Sequence, residues 1–230
     1  MRVLSYNIHR WGDDHAALTR VFAACKPDVA MLQEAPTWFG TQRRRREMAA
    51  SVGMRYAAGA ARNVILVADG IEVSNSRGWR VWRPFVRRKL RLIATQLPGA
   101  AVGALVKLDE SAIALAVCHL GLHTRGRQHE IEQILRGCES FGTPYLLVGD
   151  LNETPDGPVW KRLADAGLVD LGADAGPTFP ASAPSRRIDG AHASAGLPAR
   201  LLPLTGVSAD DLAVASDHLP LLVEVSATSG

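Results

Sequence analysis

The chain has 230 residues, a length at which α/β proteins commonly form a single unit with a substantial core. Hydrophobic residues make up 47% of it and charged residues 21%, which is typical of a globular protein and excludes an intrinsically disordered or fibrous chain. The formal net charge of +3 is mildly basic, so it favours anionic partners without identifying one.

Neither a secretion signal nor a membrane span is expected. The N-terminal sequence MRVLSYNIHR leads directly into a strand-like segment, without a long apolar stretch and a small-residue cleavage site. No run of about 18 apolar residues occurs elsewhere. The cysteines, Cys25, Cys118 and Cys138, are odd in number and lack metal-type or redox-type spacing, so we expect buried free thiols in a reducing compartment. These features together predict a cytoplasmic protein.

Short apolar runs rich in Val, Ile and Leu predict the strands of buried sheets. In chain order they cover residues 3–8, 29–33, 64–67, 113–118 and 145–148. Amphipathic stretches at residues 15–24 and 127–138 predict helices that cover the sheets. Residues 61–118 contain strand-like runs without a convincing helix, which predicts antiparallel hairpins. The pattern favours an α/β sandwich of two mixed sheets, with no repeat or linker that would divide it.

Polar side chains lie at or just beyond the ends of these runs, where catalytic groups collect on a rigid scaffold. Asn7 interrupts the first run, Glu34 ends the second, and His119 follows the run that ends at Cys118. A carboxylate at a strand end offers the hard oxygen ligand that Mg²⁺ prefers. Taken alone, such a glutamate is more often a solvated residue or a helix N-cap, so Glu34 gains weight only from its companions.

The segment Gly149-Asp150-Leu151-Asn152 sets two polar residues around one apolar residue at the end of another run. Strand alternation would place Asp150 and Asn152 on the same side. There the aspartate could hold or polarise a nucleophile while the asparagine orients a water molecule or a phosphate oxygen. An Asx-turn that closes the strand is an equally good interpretation, because Pro155 and Gly157 follow nearby.

An adjacent acid and histidine, Asp217 and His218, precede the last apolar run, residues 221–225. A lone histidine at such a place would usually be structural. Asp189 supplies a carboxylate that could hold the second ring nitrogen of His218, as orienting carboxylates do in hydrolase triads. Such a pair would raise the pKa of His218 and favour its charged form. Residues 173–187, rich in Pro, Ser and Ala, are interpreted as a loop that borders the site.

In this order the motifs resemble the endonuclease/exonuclease/phosphatase superfamily, and the stretch after His119 resembles its small bacterial members. The matching segments are Ser5-Tyr6-Asn7, Gln33-Glu34, His119-Leu120, Gly149-Asp150-Leu151-Asn152, Arg187-Ile188-Asp189 and Ser216-Asp217-His218. The resemblance extends from Asn7 to His218. It implies a four-layer α/β sandwich, with two packed mixed β-sheets covered by helices, as one catalytic domain over residues 1–230.

The resemblance also implies divalent-metal-dependent hydrolysis of phosphate esters, with Mg²⁺ or Mn²⁺ as the cofactor. By position, Glu34 resembles the main metal ligand, assisted by Asn7 and Asp217. The catalytic positions are those that activate and orient water, Asp150 and His218 with Asp189 as support, and those that hold phosphoryl oxygens, His119 and Asn152.

The family acts on DNA, RNA, phospholipids and inositol phosphates, so the fold does not identify the substrate. Ala35-Pro36 after Glu34 departs from apurinic-site repair enzymes, and Pro184-Ser185-Arg186 departs from inositol polyphosphate phosphatases. Gly190 replaces the aromatic residue that commonly follows the Ile-Asp, which puts substrate fit in doubt. A nuclease or general phosphodiesterase is favoured. A phospholipid or sphingomyelin-type phosphodiesterase is the alternative, followed by an inactive binding protein on the same fold.

Basic residues indicate nucleic acid as the partner. The basic strip, residues 77–91, interleaves the aromatics Trp79, Trp82 and Phe85 with cations, among them Arg83, Arg87 and Arg88 as candidate substrate contacts. Protection of an edge strand is the competing interpretation. The cations His123, Arg125 and Arg127 could contact phosphate, although solvated residues at a helix start would give the same pattern. The arginines at residues 43–46 are more typical of a solvated helix face.

Overall fold

The computed structural model describes residues 1–37, 40–80 and 100–227, which contain two six-stranded mixed sheets. The strands of the first sheet are β1 Arg2–Asn7, β2 Val29–Gln33, β3 Arg55–Ala60, β4 Asn63–Val67, β11 Ala199–Leu202 and β12 Leu221–Val225. The strands of the second sheet are β5 Val73–Arg80, β6 Ala100–Leu108, β7 Ser111–His119, β8 Tyr145–Asp150, β9 Val169–Asp170 and β10 Asp189–Ala193. Their orders are β11-β12-β1-β2-β4-β3 and β5-β6-β7-β8-β10-β9.

The helices of the described residues are α1 His15–Cys25, α2 Thr41–Ser51, α3 Thr124–Glu139, α4 Pro158–Asp165 and α5 Ala209–Ala215. Helix α1 begins at a capping side chain, because the Asp14 carboxylate accepts a hydrogen bond of 2.9 Å from the Ala17 N–H. Helix α4 begins with Pro158, whose fixed φ and missing N–H suit the first helical position.

Three apolar clusters define the layers. One lies between the sheets and combines residues such as Val3 and Val29 from the first sheet with Val117 and Val148 from the second. A second packs the outer face of the first sheet under α1, α2 and α5, and a third packs the second sheet under α3 and α4. The alternation of strand side chains supplies one apolar face to each side. The predicted four-layer α/β sandwich is therefore confirmed.

The predicted elements are present with small shifts of their ends. The run at residues 145–148 continues to Asp150, and the helix expected at residues 127–138 begins earlier, at Thr124. The predicted hairpins of the middle region are the antiparallel pairs β3 with β4, β5 with β6 and β6 with β7. The three cysteines are buried and form no disulfide, as expected.

Of the four arginines at residues 43–46, three are exposed on α2 and only Arg45 is buried, where its Nε donates to the Pro36 carbonyl at 3.0 Å. The interpretation as a solvated helix face holds for the other three. Within the ranges that the structure describes, no helix combines the length and apolarity needed to cross a membrane.

Candidate active site

The site lies at one rim of the sandwich because strands of both sheets end there. Strands β1 and β2 run parallel with Asn7 opposite Gln33, and β7 and β8 run parallel with His119 opposite Asp150. Strand β10 begins at the same level, since Asp189 pairs with Asp150. The polar residues that follow the apolar runs are thereby brought to one edge.

Asp150 is the centre of the cluster and is 2% exposed. The Asn7 side-chain amide donates to its Oδ2 at 3.1 Å, across the two sheets. His119 Nε2 and His218 Nε2 lie 3.4 Å and 3.7 Å from the same oxygen. Burial raises the pKa of Asp150, and the charge of Asp189 adds to this, while His119 and His218 act in the opposite direction.

His218 is held from behind by Asp189. Its Nδ1 lies 2.9 Å from Asp189 Oδ2, and Asp189 is itself fixed by its backbone N–H, which donates to Thr178 Oγ1 at 3.3 Å. The Phe179 ring packs against the imidazole with centroids 4.8 Å apart. Burial lowers the pKa of His218, but the hydrogen bond and charge of Asp189, with the charges of Asp150 and Asp217, outweigh it and raise the pKa to about 9. The predicted pairing is confirmed.

Asn152 reaches the site by a different route from the one that strand alternation predicts. Strand β8 ends at Asp150, and Asn152 adopts a left-handed backbone with φ 50°. Its backbone N–H donates to Asp150 Oδ1 at 2.8 Å, which is the Asx-turn, and its side-chain amide donates to the Leu120 carbonyl at 2.8 Å. The turn and the site therefore coexist, since Asn152 still lines the cavity.

Glu34 also has a left-handed backbone, with φ 57°, and its carboxylate meets two arginines that the sequence interpretation missed. Arg10 Nε and Arg62 Nη1 lie 3.4 Å and 3.6 Å from Glu34 Oε2. Both arginines sit in turns, Arg10 after β1 and Arg62 between β3 and β4. A turn residue whose partner is distant along the chain belongs to no periodic pattern. The sequence therefore offered no sign that these arginines contact Glu34.

The turn that carries Arg10 is unusual, because His9, Arg10 and Trp11 all have positive φ, at 40°, 62° and 56°. Each non-glycine residue in this region costs on the order of 1–3 kcal/mol and persists only where the surroundings fix it. The His9 N–H donates to Asn7 Oδ1 at 3.1 Å, and the Trp11 ring stacks on His15 at 4.4 Å. Such strain is concentrated at functional sites, and here it aims Arg10 at Glu34.

These residues surround a cavity of about 730 Å³. Six of the predicted site residues line it: Glu34, His119, Asp150, Asn152, Asp217 and His218. Asn7 and Asp189 lie beneath, at 1% and 3% exposure, and contact Asp150 and His218 respectively. Phe179 and Arg186 line the cavity from the loop at residues 173–187, which confirms that this loop borders the site. Leu122, which is 84% exposed at the rim, was not predicted.

Arg127 does not face the site, and the expectation that it contacts phosphate is wrong. It is buried and donates to Glu153 Oε1 from Nη2 at 2.8 Å and from Nε at 3.1 Å. A further hydrogen bond of 2.8 Å goes to the Leu122 carbonyl. Arg127 thus ties the loop after β7 to the loop after β8. Arg125 is exposed on α3 and lies outside the cavity lining.

Gly190, the departure noted after Asp189, has a local reason. A Cβ atom at this position would lie 2.6 Å from His192 Cε1 and 3.0 Å from Leu151 Cδ1, which is closer than packed atoms allow. His192 and Gly190 share the face of β10 that points away from Asp189. The glycine therefore makes room for a buried histidine on the far side of the strand and leaves Asp189 in place.

The basic strip is described only in part. Trp79 packs over Gly103 and Gly137, and its ring centroid lies 5.8 Å from that of Phe141, so part of the ring is used for packing inside the protein. Base stacking by the strip stays a prediction. Arg83, Arg87 and Arg88 lie outside the described residues. The described start of the strip belongs to β5, where Arg80 pairs with Ala100 of β6, and Ala100 in turn pairs with His119 of β7.

The donor set suits a hard divalent cation. Asp150, Asp189 and His218 bring potential ligand atoms within 4.8 Å of one another, and the carboxylates of Glu34 and Asp217 line the same cavity. Oxygen-rich sets of this kind fit Mg²⁺ or Mn²⁺. The 2.9 Å contact between Asp189 Oδ2 and His218 Nδ1 identifies these two residues as a hydrogen-bonded unit, so these two atoms already serve each other.

Comparison with known proteins agrees with this architecture. The model of the Endonuclease/Exonuclease/phosphatase family matches residues 4–218. No curated protein sequence matches the chain. Among solved structures, the human Nocturnin catalytic domain with bound sulfate is similar at 18% identity and a TM-score of 0.71, with 98% of this chain and 93% of that chain covered.

Two further solved structures of similar fold are described with other activities. ANGEL2, described as a 2′,3′-cyclic phosphatase in complex with adenosine-2′,3′-vanadate, has 17% identity and a TM-score of 0.74, and the alignment covers 97% of this chain and 94% of that one. A mannosyl-6-phosphatase of Bacteroides thetaiotaomicron has 15% identity and a TM-score of 0.72, with 99% and 100% covered. At these identities the likeness establishes the fold alone.

Proposed function

The chain belongs to the endonuclease/exonuclease/phosphatase family, and we propose that it hydrolyses phosphate esters by in-line attack of water, as one catalytic domain over residues 1–230. The observation that carries the proposal is the buried Asp150 carboxylate, which Asn7, His119 and His218 approach from both sheets. A carboxylate whose pKa is raised by burial is a better proton acceptor than a solvated one.

In the proposed mechanism, Asp150 accepts the proton of the attacking water. His218 is fixed by Asp189 and is charged at neutral pH, so its Nε2–H orients the water and stabilises charge on the phosphoryl group. His119 contributes a donor at the edge of the cavity. Asn152, through its turn with Asp150, holds the phosphoryl oxygens in line.

A divalent ion, Mg²⁺ or Mn²⁺, would be held by Glu34 and Asp217 with assistance from Asn7, and would neutralise charge on the phosphate and the leaving oxygen. Asn7 currently directs its amide nitrogen at Asp150 and its oxygen at the His9 N–H, so it fixes both Asp150 and the turn that carries Arg10. Whether Asn7 assists in holding the ion or only hydrogen-bonds Asp150 and His9, it lies at the floor of the site.

For the substrate, we propose a nuclease or general phosphodiesterase acting on nucleic acid. The mildly basic chain and the cations of the basic strip favour an extended polyanion. The described residues add Arg10, Arg62 and Arg186 to the cavity lining, all of them cations. A phospholipid phosphodiesterase is the second candidate, because Leu122 presents an exposed apolar side chain at the same rim.

The test is a panel of esters assayed with Mg²⁺, with Mn²⁺ and with EDTA. The panel contains DNA, RNA, bis-p-nitrophenyl phosphate, adenosine 2′,3′-cyclic phosphate, mannose 6-phosphate and sphingomyelin vesicles. We expect turnover of at least one nucleic acid and of the minimal diester, and its loss in EDTA. Full activity in EDTA would exclude the metal-dependent mechanism, and hydrolysis of sphingomyelin alone would select the second candidate.

Glu34→Gln keeps the shape of the side chain and removes its charge. We expect it to weaken Mg²⁺ or Mn²⁺ binding, measured by isothermal titration calorimetry, and to lower kcat/KM by roughly 10²-fold or more. Glu47→Gln is the matched control, since Glu47 is an exposed residue of α2 that pairs with Arg43 one turn away on the same helix. An unchanged metal affinity in Glu34→Gln would remove Glu34 from the ligand set.

A further inference from the structure

Arg10 and Arg62 place two guanidinium groups beside one carboxylate. Both approach the same oxygen, Glu34 Oε2, at 3.4 Å and 3.6 Å, and both line the cavity. These distances exceed the roughly 2.7–2.9 Å of a charge-assisted hydrogen bond. Glu34 therefore compensates the charge of one arginine without using the donors of either fully.

The remaining donors require a partner. A guanidinium group carries five N–H donors and no acceptor. Arg62 Nε is buried and makes no hydrogen bond with any residue that the structure describes, and the Arg62 side chain is 14% exposed. Buried donors nearly always have a hydrogen-bond partner, either a protein group or an ordered water molecule. Because Arg62 lines the cavity, an acceptor that enters the cavity next to Glu34 is the natural partner.

Both arginines are held in position by the backbone. Arg10 occupies the centre of the left-handed turn, with φ 62°, which Asn7 Oδ1 and the stacked Trp11 and His15 rings fix. The Arg62 carbonyl accepts a hydrogen bond of 2.8 Å from the N–H of Ala35, the residue after Glu34. The backbone therefore fixes where both side chains start, and the Arg62 side chain, at 14% exposure, is also enclosed by its surroundings.

We propose that Arg10 and Arg62 form a subsite for a second phosphate group, one that is bound and not cleaved. This rests on the proposed function, because it names the substrate class of the same cavity. Paired guanidinium groups match the oxygen geometry of a phosphate. The preferred substrate then carries at least two phosphates, with the scissile one over Asp150 and the other beside Glu34.

The same chemistry is present in a nucleotide chain and in a small bisphosphate, so the test uses one ligand pair of each kind. The first pair is dTpdT and its 5′-phosphorylated form, pdTpdT. The second pair is glucose 6-phosphate and glucose 1,6-bisphosphate. Affinities are measured by isothermal titration calorimetry in EDTA, which prevents turnover and keeps the measurement independent of metal binding at Glu34.

We expect the wild-type protein to prefer the ligand with the extra phosphate by about tenfold or more in one of the two pairs, which identifies the source. Arg10→Gln and Arg62→Gln should each reduce that preference by several-fold to tenfold, and Arg62→Lys should retain part of it. Arg55→Gln is the matched control, because Arg55 forms an exposed pair with Asp69 away from the cavity.

Two results would overturn the subsite. One is a wild-type protein without a preference in either pair. The other is an equal loss of affinity for both members of a pair in the variants, which would mean that the arginines only position Glu34. Arg10 is largely exposed, so Arg10→Gln keeps the test decisive if Arg62→Gln unfolds. Failure of the proposed function is seen separately, as the absence of hydrolysis across the ester panel.

Discussion

Two buried histidines lie on either side of β10, and at neutral pH one is charged while the other is neutral. His218, 4% exposed, hydrogen-bonds Asp189, and its pKa is raised to about 9. His192, 2% exposed, packs against the Trp160 ring at 5.0 Å, and burial lowers its pKa to about 4 because the attraction of Asp170 does not compensate. Burial lowers the pKa of both imidazoles, and among the described residues only His218 has a carboxylate hydrogen-bonded to its ring, which outweighs the cost of burial.

The two histidines also differ in their access to the cavity. His218 lines the cavity and has a carboxylate on the nitrogen that faces away from it, so a proton on Nε2 is available to a ligand. His192 does not line the cavity, and the neighbouring pair of Asp170 and Arg187 at 2.7 Å satisfies itself. A residue type in a buried strand is thus informative only together with its partner.

The largest effect is expected from breaking the His218–Asp189 unit. His218→Ala and Asp189→Asn should each lower kcat by roughly 10²- to 10⁴-fold, because one removes the charged donor and the other removes the group that holds it. The double variant should be little worse than either single variant, since residues that act as one unit are not additive. Steady-state kinetics on bis-p-nitrophenyl phosphate with saturating Mg²⁺ measures this.

Fully multiplicative losses in the double variant would mean that the two residues act independently. Asp69→Asn is the control for Asp189→Asn, because Asp69 is an exposed carboxylate that pairs with Arg55. A circular dichroism melt of each variant separates a loss of chemistry from a loss of fold.

A smaller and different effect is expected at His192. His192→Phe keeps a ring against Trp160 and removes the buried imidazole, so kcat should stay within about threefold of wild type while the free energy of unfolding changes by roughly 1–3 kcal/mol. Urea denaturation and the same diester assay measure the two quantities. A loss of activity comparable to that of His218→Ala would erase the distinction between the two histidines.

Sequence patterns predicted the floor of the site because a polar residue at the end of an apolar run interrupts a pattern that is otherwise regular. Asn7, Glu34, His119 and Asp150 all do this, and the sheet register brings them together. The same reasoning predicted the sandwich, since strand and helix periods differ. Asn152 was placed correctly for an incomplete reason, as it reaches the cavity through a turn.

The rim was not predictable in this way. Arg10 and Arg62 are ordinary turn residues until the left-handed turn and the β3–β4 connection bring them to Glu34. The prediction that Arg127 contacts phosphate was wrong for a related reason. A charged residue near a helix start is usually solvated, but here Glu153, from a distant loop, accepts two hydrogen bonds from Arg127 inside the protein. Partners that are remote along the chain leave no local pattern.

An effect of similar size is expected in the pH dependence of stability in EDTA. For His218 the folded pKa, about 9, lies above the ordinary 6.5, so its ionisation stabilises the fold fully below pH 6.5 and this contribution is lost as the pH rises to about 9. For His192 the folded pKa, about 4, lies below 6.5, so stability is lost as the pH falls from 6.5 to about 4.

The quantity to measure is the difference in free energy of unfolding between wild type and a variant. For His218→Gln this difference should shrink by roughly 1–3 kcal/mol between pH 6.5 and 9, since one pKa unit corresponds to about 1.4 kcal/mol. Wild type minus His192→Phe should change by a similar amount between pH 6.5 and 4, becoming less favourable to the wild type as the pH falls. Urea titrations at half-unit pH steps resolve both pH windows. If the two variants changed in the same direction and in the same window, the two histidines would not differ in charge at neutral pH.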